Sequence, residues 1–400
     1  MLQQLIERWE KAFDEINLLP EYYDSAKVFK YAAGRCFELK DYPNEDFQPE
    51  RSLTDTADNK TIPYYQYGLR SDGLPCYTSY PSKGTASKWE GYYIYNDQQV
   101  EYIEFNTQTK MPSCIERILF LNGRKTSFQR VFISTRASAP AWVGLSKEEA
   151  ISRLKNDKYS IEASIEDYEY EGSKIVKADC HGMAPGQGEY KYYKTYLYDE
   201  KGELDEIRDF YSDGSSRLSY VRTEENYSLQ DMSDRLAALI AGAVVDALIK
   251  NKVEIPVAIV ELSYTYVYTY LPVVIARSES VKQDVIANCG ENIWEGLFLD
   301  FDELLHLKTD TFERLFEQFI QIMEKTDNYE SGRAMLRKSA TLLTKSKLLG
   351  KVSVADEFVA YAIDKSVEGH SNEAFKKILK ECGLEENIIE AWNKRGWLRP

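Results

Sequence analysis

Tyr193-Lys194-Thr195-Tyr196-Leu197-Tyr198-Asp199-Glu200-Lys201-Gly202 runs into Glu203-Leu204-Asp205-Glu206-Ile207-Arg208-Asp209-Phe210-Tyr211. A Ser212-Asp213-Gly214 turn follows, and then Ser219-Tyr220-Val221-Arg222. Tyrosine-rich runs broken by glycine turns have the period of two expected of an extended chain. Asp-Gly supplies the positive φ that a tight hairpin needs. The stretch reads as three strands joined by two turns.

The same pattern extends upstream, where the period is two from about 63 to 222. Tyr92-Tyr93-Ile94-Tyr95-Asn96-Asp97 and residues 100–105 precede runs at 115–120 and 128–133, with turn signals at 71–73 and at Asn122-Gly123. One helix interrupts them at 146–156, with Ser146 as N-cap and Glu149 at the capping-box position. Residues 1–18 predict an amphipathic helix on Leu2, Leu5, Ile6, Trp9, Phe13 and Ile16. A second short helix is expected over 23–37. Residues 41–60, with two prolines and six acidic side chains, read as a long loop.

Downstream the period lengthens. Residues 228–250 place Leu229, Met232, Leu236, Leu239, Ile240 and Val244 on one helical face. Residues 255–276 read as two strands around Ser263 and Pro272, with Tyr264, Tyr266, Tyr268 and Tyr270 on one face. Helices are expected near 311–325, 330–345, 354–366, 372–382 and 385–395. The expectation is an α+β chain of two domains, 1–226 and 227–400. The N-terminal half is rich in antiparallel β-meander; the C-terminal half is mostly helical and contains a short Tyr-rich sheet.

The chain has 400 residues, 43% hydrophobic and 29% charged, which describes an ordinary globular protein and excludes wholesale disorder. A net charge of -15 argues against a nucleic-acid or anionic-membrane partner, since phosphate contacts need a basic face. The N-terminus lacks a signal-peptide pattern. Residues 236–249, the most apolar long stretch, are shorter than the roughly 20 needed to span a bilayer. Six cysteines include no CxxC pair. A cytoplasmic protein with no cofactor is expected.

Candidates for chemistry are few. The three histidines, His181, His306 and His370, form no metal-ligand spacing, so no metal site is expected. Cys180-His181 is an adjacent nucleophile and base, although neighbours on a strand point to opposite faces. The loop 182–188 that follows carries Gly182, Gly186 and Gly188 but lacks the Lys-Ser/Thr ending of a phosphate-binding loop. The plain reading is a strand end and a turn. Asp300, Asp302, Glu303 and His306 lie within seven residues and could share a cation or do acid–base work; the plain reading is the acidic first turn of a short helix.

Charge is uneven. Residues 291–330 hold 11 acidic and 3 basic side chains, and residues 331–351 hold 6 basic and no acidic ones. Two helices complementing each other across a solvated face is the plain account. The functional account is an acidic strip, with Glu313 and Glu317, that meets a basic protein. The tyrosines at 264, 266, 268 and 270 either pack under a neighbour or form a binding face.

The Tyr196-x-Tyr198-Asp199-x-x-Gly202-x-Leu204 run, with Phe210-Tyr211-Ser212-Asp213-Gly214, resembles the β-hairpin repeats of bacterial MORN-variant antitoxin-type proteins. It covers about 30 residues, with echoes near 65–80 and 92–105, and the hairpins are less regular than in true repeat arrays. Helix 228–250, then Ile255-Pro256-Val257-Ala258-Ile259-Val260, a Tyr-rich strand and Leu271-Pro272-Val273-Val274-Ile275, is similar to bacterial proteins grouped with immunity proteins of polymorphic toxin systems. The resemblance carries over no functional residue. It implies a non-enzymatic protein that acts by binding another protein. The alternatives are a hydrolase using loop 182–188 or the 300–306 cluster, and a self-associating scaffold.

Overall fold

The computed structural model describes residues 2–32, 35–40, 53–56, 64–81, 88–133, 142–156, 161–184, 188–223, 228–251, 256–265, 269–289, 295–299, 304, 307, 309–326, 328–345, 352–365 and 371–398. The chain is mixed α+β and divides into two compact units, 1–217 and 218–400.

The first unit opens with α1 (Leu2–Ala12), a 3₁₀ stretch at Phe13–Leu18 and α2 (Leu19–Ser25). Strands follow: β1 (Val28–Ala32), β2 (Tyr65–Leu69), β3 (Pro75–Pro81), β4 (Lys88–Asn96), β5 (Gln99–Asn106), β6 (Met111–Leu121) and β7 (Arg124–Ile133). After α3 (Lys147–Asn156) come β8 (Ile161–Glu171), β9 (Lys174–Ala184), β10 (Gly188–Tyr198), β11 (Leu204–Tyr211) and β12 (Ser216–Val221). They form one twelve-stranded sheet in chain order, and the division between the units falls inside β12. At the β6–β7 turn, Asn122 and Gly123 have φ of 54° and 74°, the two positive values of a type I′ hairpin. The helix expected over 23–37 ends at Ser25, and residues 28–32 instead pair antiparallel with β2. Val28, Phe29 and Tyr31 are strand formers, and the unpaired edge of a large sheet outweighs local helical period.

One face of this sheet lies under the helices. Tyr92, Ile103, Ile115, Val131 and Ala163 are register partners in a single row across β4–β8. They share a buried core with Leu2, Leu5 and Trp9 of α1 and with Ala150 and Leu154 of α3. The capping box of α3 is formed: the Ser146 N–H donates to Glu149 Oε2 at 2.8 Å and the Glu149 N–H to Ser146 Oγ at 3.2 Å.

The second unit contains α4 (Leu229–Lys250), β13 (Val257–Thr265), β14 (Thr269–Ser278), α5 (Lys282–Ala287) and β15 (Leu297–Leu299). Next come α6 (Asp310–Thr326), α7 (Glu330–Lys345), β16 (Val354–Asp364), α8 (Asn372–Glu381) and α9 (Glu386–Lys394). The sheet order is β15-β14-β13-β16, with β13 and β16 parallel and α6 and α7 within the crossover between them. The helix expected over 354–366 is therefore β16. Residues 359–364 are all buried, and a strand covered on both faces is a continuous apolar run, without the alternation that distinguishes it from a buried helix. Its outer edge is capped by side chains. Thr344 Oγ1 accepts the Ala360 N–H at 3.0 Å and donates to the Ala360 carbonyl at 3.2 Å; Cys382 Sγ accepts the Ala362 N–H at 3.5 Å.

Within β16, two steps along β13 are matched by five along β16, and Glu357 in the resulting bulge has φ of 57°. The bulge aims its carboxylate at α9 and the residues just after it: Arg395 donates from Nη1 and Nη2 at 2.7 and 2.8 Å, and Trp392 Nε1 at 3.0 Å. The Arg395 hydrogen bonds outweigh burial and, with a smaller contribution from Trp392, hold this carboxyl below the usual glutamate range. A group with a depressed native pKa contributes stability above its unfolded value that is lost as pH falls through the native one. The melting-temperature advantage of wild type over Glu357→Gln is thus expected at pH 7 and to shrink below about pH 4.3, the ordinary glutamate value. An advantage that grows on acidification would refute the assignment. Among the described residues no helix is long and apolar enough to cross a membrane.

Candidate protein-binding face

The helical cover of the first sheet draws its buried residues from β3 to β8 and none from β10 or β11, among the described residues. Among the described residues this cover ends at Met183 of β9. Asp167, Asp179, Tyr193 and Phe210 are successive register partners, so they form one row across β8–β11. The Tyr193 and Phe210 rings stack with centroids 5.0 Å apart and planes at 8°. Tyr193 is 41% exposed, and Leu197, four residues further along the same face, is 53% exposed.

Alternation along β10 inverts the usual pattern. Lys191, Tyr193, Thr195 and Leu197 take the open face, whereas Tyr190, Tyr192, Lys194 and Tyr196 take the other. On that other face Lys194, whose register partner is Asp209, is buried with its ammonium 2.7 Å from Glu166 Oε1. Burial alone would raise the Glu166 carboxyl, and the Lys40 and Lys194 charges outweigh it and hold it low. Aromatics lie on both faces of β10, but hiding Lys194 while exposing Tyr193 and Leu197 runs against what burial energetics favour.

The segment that forms β8–β11 is acidic, both faces counted. Residues 161–217 carry 14 acidic and 7 basic side chains, a net of -7. Asp167 and Asp179 stand directly opposite, a like-charge pair that destabilises adjacent strands. Lys177 partly offsets them, with Nζ 2.8 Å from Asp179 Oδ1, 3.2 Å from Glu169 Oε1 and 5.8 Å from the Tyr193 ring centroid.

The residues singled out in the sequence fall elsewhere. Cys180 is buried, and burial above all pushes its thiol up to about 12, far from a reactive thiolate. His181 lies on the opposite face, its Nε2 3.1 Å from Glu189 Oε2, so the two do not form a dyad. Gly182 belongs to β9: a Cβ there would sit 2.4 Å from the Tyr190 ring, so glycine makes room for that ring across the hairpin. Gly188, at φ of 77°, starts β10, and residues 185–187 lie outside the described residues. Tyr264 and Tyr270 are no docking face. Both are buried in the second unit's core, and Tyr270 Oη donates to the Tyr329 carbonyl at 3.0 Å. They lie where helices cover the sheet, and Gly332 of α7 leaves the Tyr270 ring its space. Tyr266 and Tyr268, like Asp300, Asp302, Glu303 and His306, lie outside the described residues.

Glu313 and Glu317 are half-buried on α6, where Glu317 Oε1 accepts from Gln321 Nε2 at 3.0 Å. On α7, Arg337 pairs with Glu381 of α8, Lys338 with Asp234 of α4, and Arg333 with Glu330 of α7 itself. Among the described residues no group of three or more His, Cys, Asp or Glu side chains is placed to hold a metal ion. Local sequence does not single out the β8–β11 row, because the larger charge excess lies at 291–330; the net -7 of 161–217 and the aromatics on both faces of β10 are its only local signals.

No protein-family model matches the chain, and no curated protein matches it. Among solved structures it is similar to a porin-like protein from Bacteroides vulgatus ATCC 8482, at 10% identity over 49% of this chain and 98% of that one, with a TM-score of 0.25, too low to assign a fold.

Proposed function

We propose that the chain is a non-enzymatic, cytoplasmic protein-binding module of the inhibitor or immunity type, and that a basic partner docks on the open face of β9–β11. The inverted pattern of β10 carries the reading: an exposed tyrosine stacked on a phenylalanine beside an exposed leucine, with a lysine buried beneath. Tyrosine anchors and their apolar neighbours dominate interface energetics. The -7 charge of 161–217 would speed the approach of a basic protein, and cations placed between Asp167 and Asp179 would relieve their repulsion. All six cysteines are free and buried, which supports a reducing compartment. The separation of Cys180 from His181 favours binding over the hydrolase alternative.

The test is a comparison of wild type with Tyr193→Ser/Phe210→Ser as bait in lysate of the native host, with mass spectrometry and then titration of the retained protein. A basic partner is expected, released at high salt and bound at least tenfold more weakly by the double variant. Tyr193 is exposed and Phe210 half-buried, so losing their stacked pair should lower the melting temperature by only a few degrees. Equal retention of one partner by both baits would sink the proposal.

A further inference from the structure

Ala32 of β1 and Tyr65 of β2 are register partners, so a turn of about two to five residues would have closed this hairpin. Instead 32 residues intervene. Connections of that length inside a compact unit are uncommon and are either functional loops or linkers. Part of this one, residues 35–40, crosses the sheet face opposite the helices: Arg35-Cys36-Phe37-Glu38-Leu39-Lys40.

The contacts it makes are those of peptide recognition. Tyr93, Tyr102, Glu116 and Arg130 form one row across β4–β7. Arg35 grips the buried Glu116 bidentately at 2.7 and 3.1 Å, its guanidinium 5.3 Å from the Tyr102 ring centroid. The main chain is held at both polarities, with the Cys36 N–H donating to Tyr67 Oη at 2.9 Å and Tyr93 Oη donating to the Phe37 carbonyl at 3.2 Å. The Phe37 ring meets Tyr67 edge-on at 5.2 Å, and Lys40 Nζ lies 3.8 Å from Glu166 Oε1. Both carboxylates also have a cation of the sheet's own: Arg130 Nε at 3.5 Å from Glu116 and Lys194 Nζ at 2.7 Å from Glu166. Removing the crossing segment would therefore leave neither carboxylate buried without a counter-charge.

We infer that this tyrosine-lined face is a second binding site, independent of the β9–β11 face. Its ligand is an extended segment with an arginine, an aromatic residue two positions on and a lysine three further. Residues 35–40 are its occupant in cis. A segment of the same chemistry from another protein takes their place.

The experiment uses the full chain carrying Arg35→Ser/Phe37→Ser, which weakens the internal occupant, and a labelled, end-capped hexapeptide of residues 35–40. The variant is expected to bind the peptide at least tenfold more tightly than wild type, and adding Glu116→Gln should abolish the gain. A variant that melts cooperatively yet binds no more tightly than wild type overturns the inference. So does a variant that dimerises with concentration, which would mean exchange of the segment between copies. Should the variant not fold, hydrogen exchange of wild type decides. The Cys36 amide is expected to exchange at least tenfold faster than the hydrogen-bonded amides of β4 and β5. Equal rates would mean that the segment leaves only when the sheet unfolds.

Discussion

Glu261→Gln should destabilise the 218–400 unit by about 3–5 kcal/mol, the cost of breaking a buried ion pair from one side. Glu261 on β13 is wholly buried. Its Oε2 accepts from Arg277 Nη1 at 2.8 Å and from Tyr361 Oη at 2.7 Å, while Oε1 lies 2.9 Å from Lys365 Nζ. The register makes this possible: Tyr361 of β16 stands directly across from Glu261, and Arg277 lies two residues beyond Ile275, its partner on β14. Burial, reinforced by the Glu261 charge, pushes the Tyr361 hydroxyl well above the usual tyrosine range and keeps it a donor. Glutamine would preserve volume but remove the carboxylate charge that Arg277, also buried, meets at 2.8 Å. Urea denaturation should show the loss as a shift of midpoint at unchanged slope. The double variant Glu261→Met/Arg277→Met should recover most of it, since apolar replacement of a whole buried pair is close to neutral. A loss below about 1 kcal/mol in the single variant would mean that the network does not hold the sheet together.

Trp9→Ala comes next, with an expected cost of about 3–5 kcal/mol to the first unit. Trp9 is 1% exposed, packs edge-on against Phe13 at 4.8 Å and donates from Nε1 to the Pro112 carbonyl at 2.7 Å. Alanine would open a cavity and leave a carbonyl without its donor. Because α1 packs on β6, β7 and β8, the row from Tyr92 to Ala163 would lose its cover. Increased binding of a hydrophobic dye before the main unfolding transition is the expected signature. Trp9→Phe, which keeps most of the apolar volume, should cost less. Equal effects of the two would show that the hydrogen bond to Pro112, and not packing, fixes the helix.

What the sequence disclosed follows from how period and burial relate. The hairpins at Asn122-Gly123 and Asp213-Gly214 and the Ser146–Glu149 cap were legible because each rests on a local chemical requirement. Helix 330–345 was legible because one of its faces is buried and the other exposed. β1 was not, because its conformation depends on a partner more than thirty residues away. β16 was not, because burial on both faces erases alternation. The tyrosines at 264 and 270 showed the right period but could not say which face was covered, and the same blindness hid Tyr193. Pairings such as Arg35 with Glu116 join residues far apart in sequence and leave no local trace.

In the first sheet each strand neighbours only its predecessor and its successor. Such a sheet is nearly a one-dimensional array, in which cooperativity passes from one hairpin to the next and weakens with distance. Helix α1 fastens the middle by lying across β6, β7 and β8 at once. β10 and β11 lack that clamp, so coupling between them and the β4–β5 pair runs only through the intervening hairpins. The proposed docking face therefore lies on the part of the array that α1 does not span, and substitutions there are expected to leave the hairpins under α1 paired.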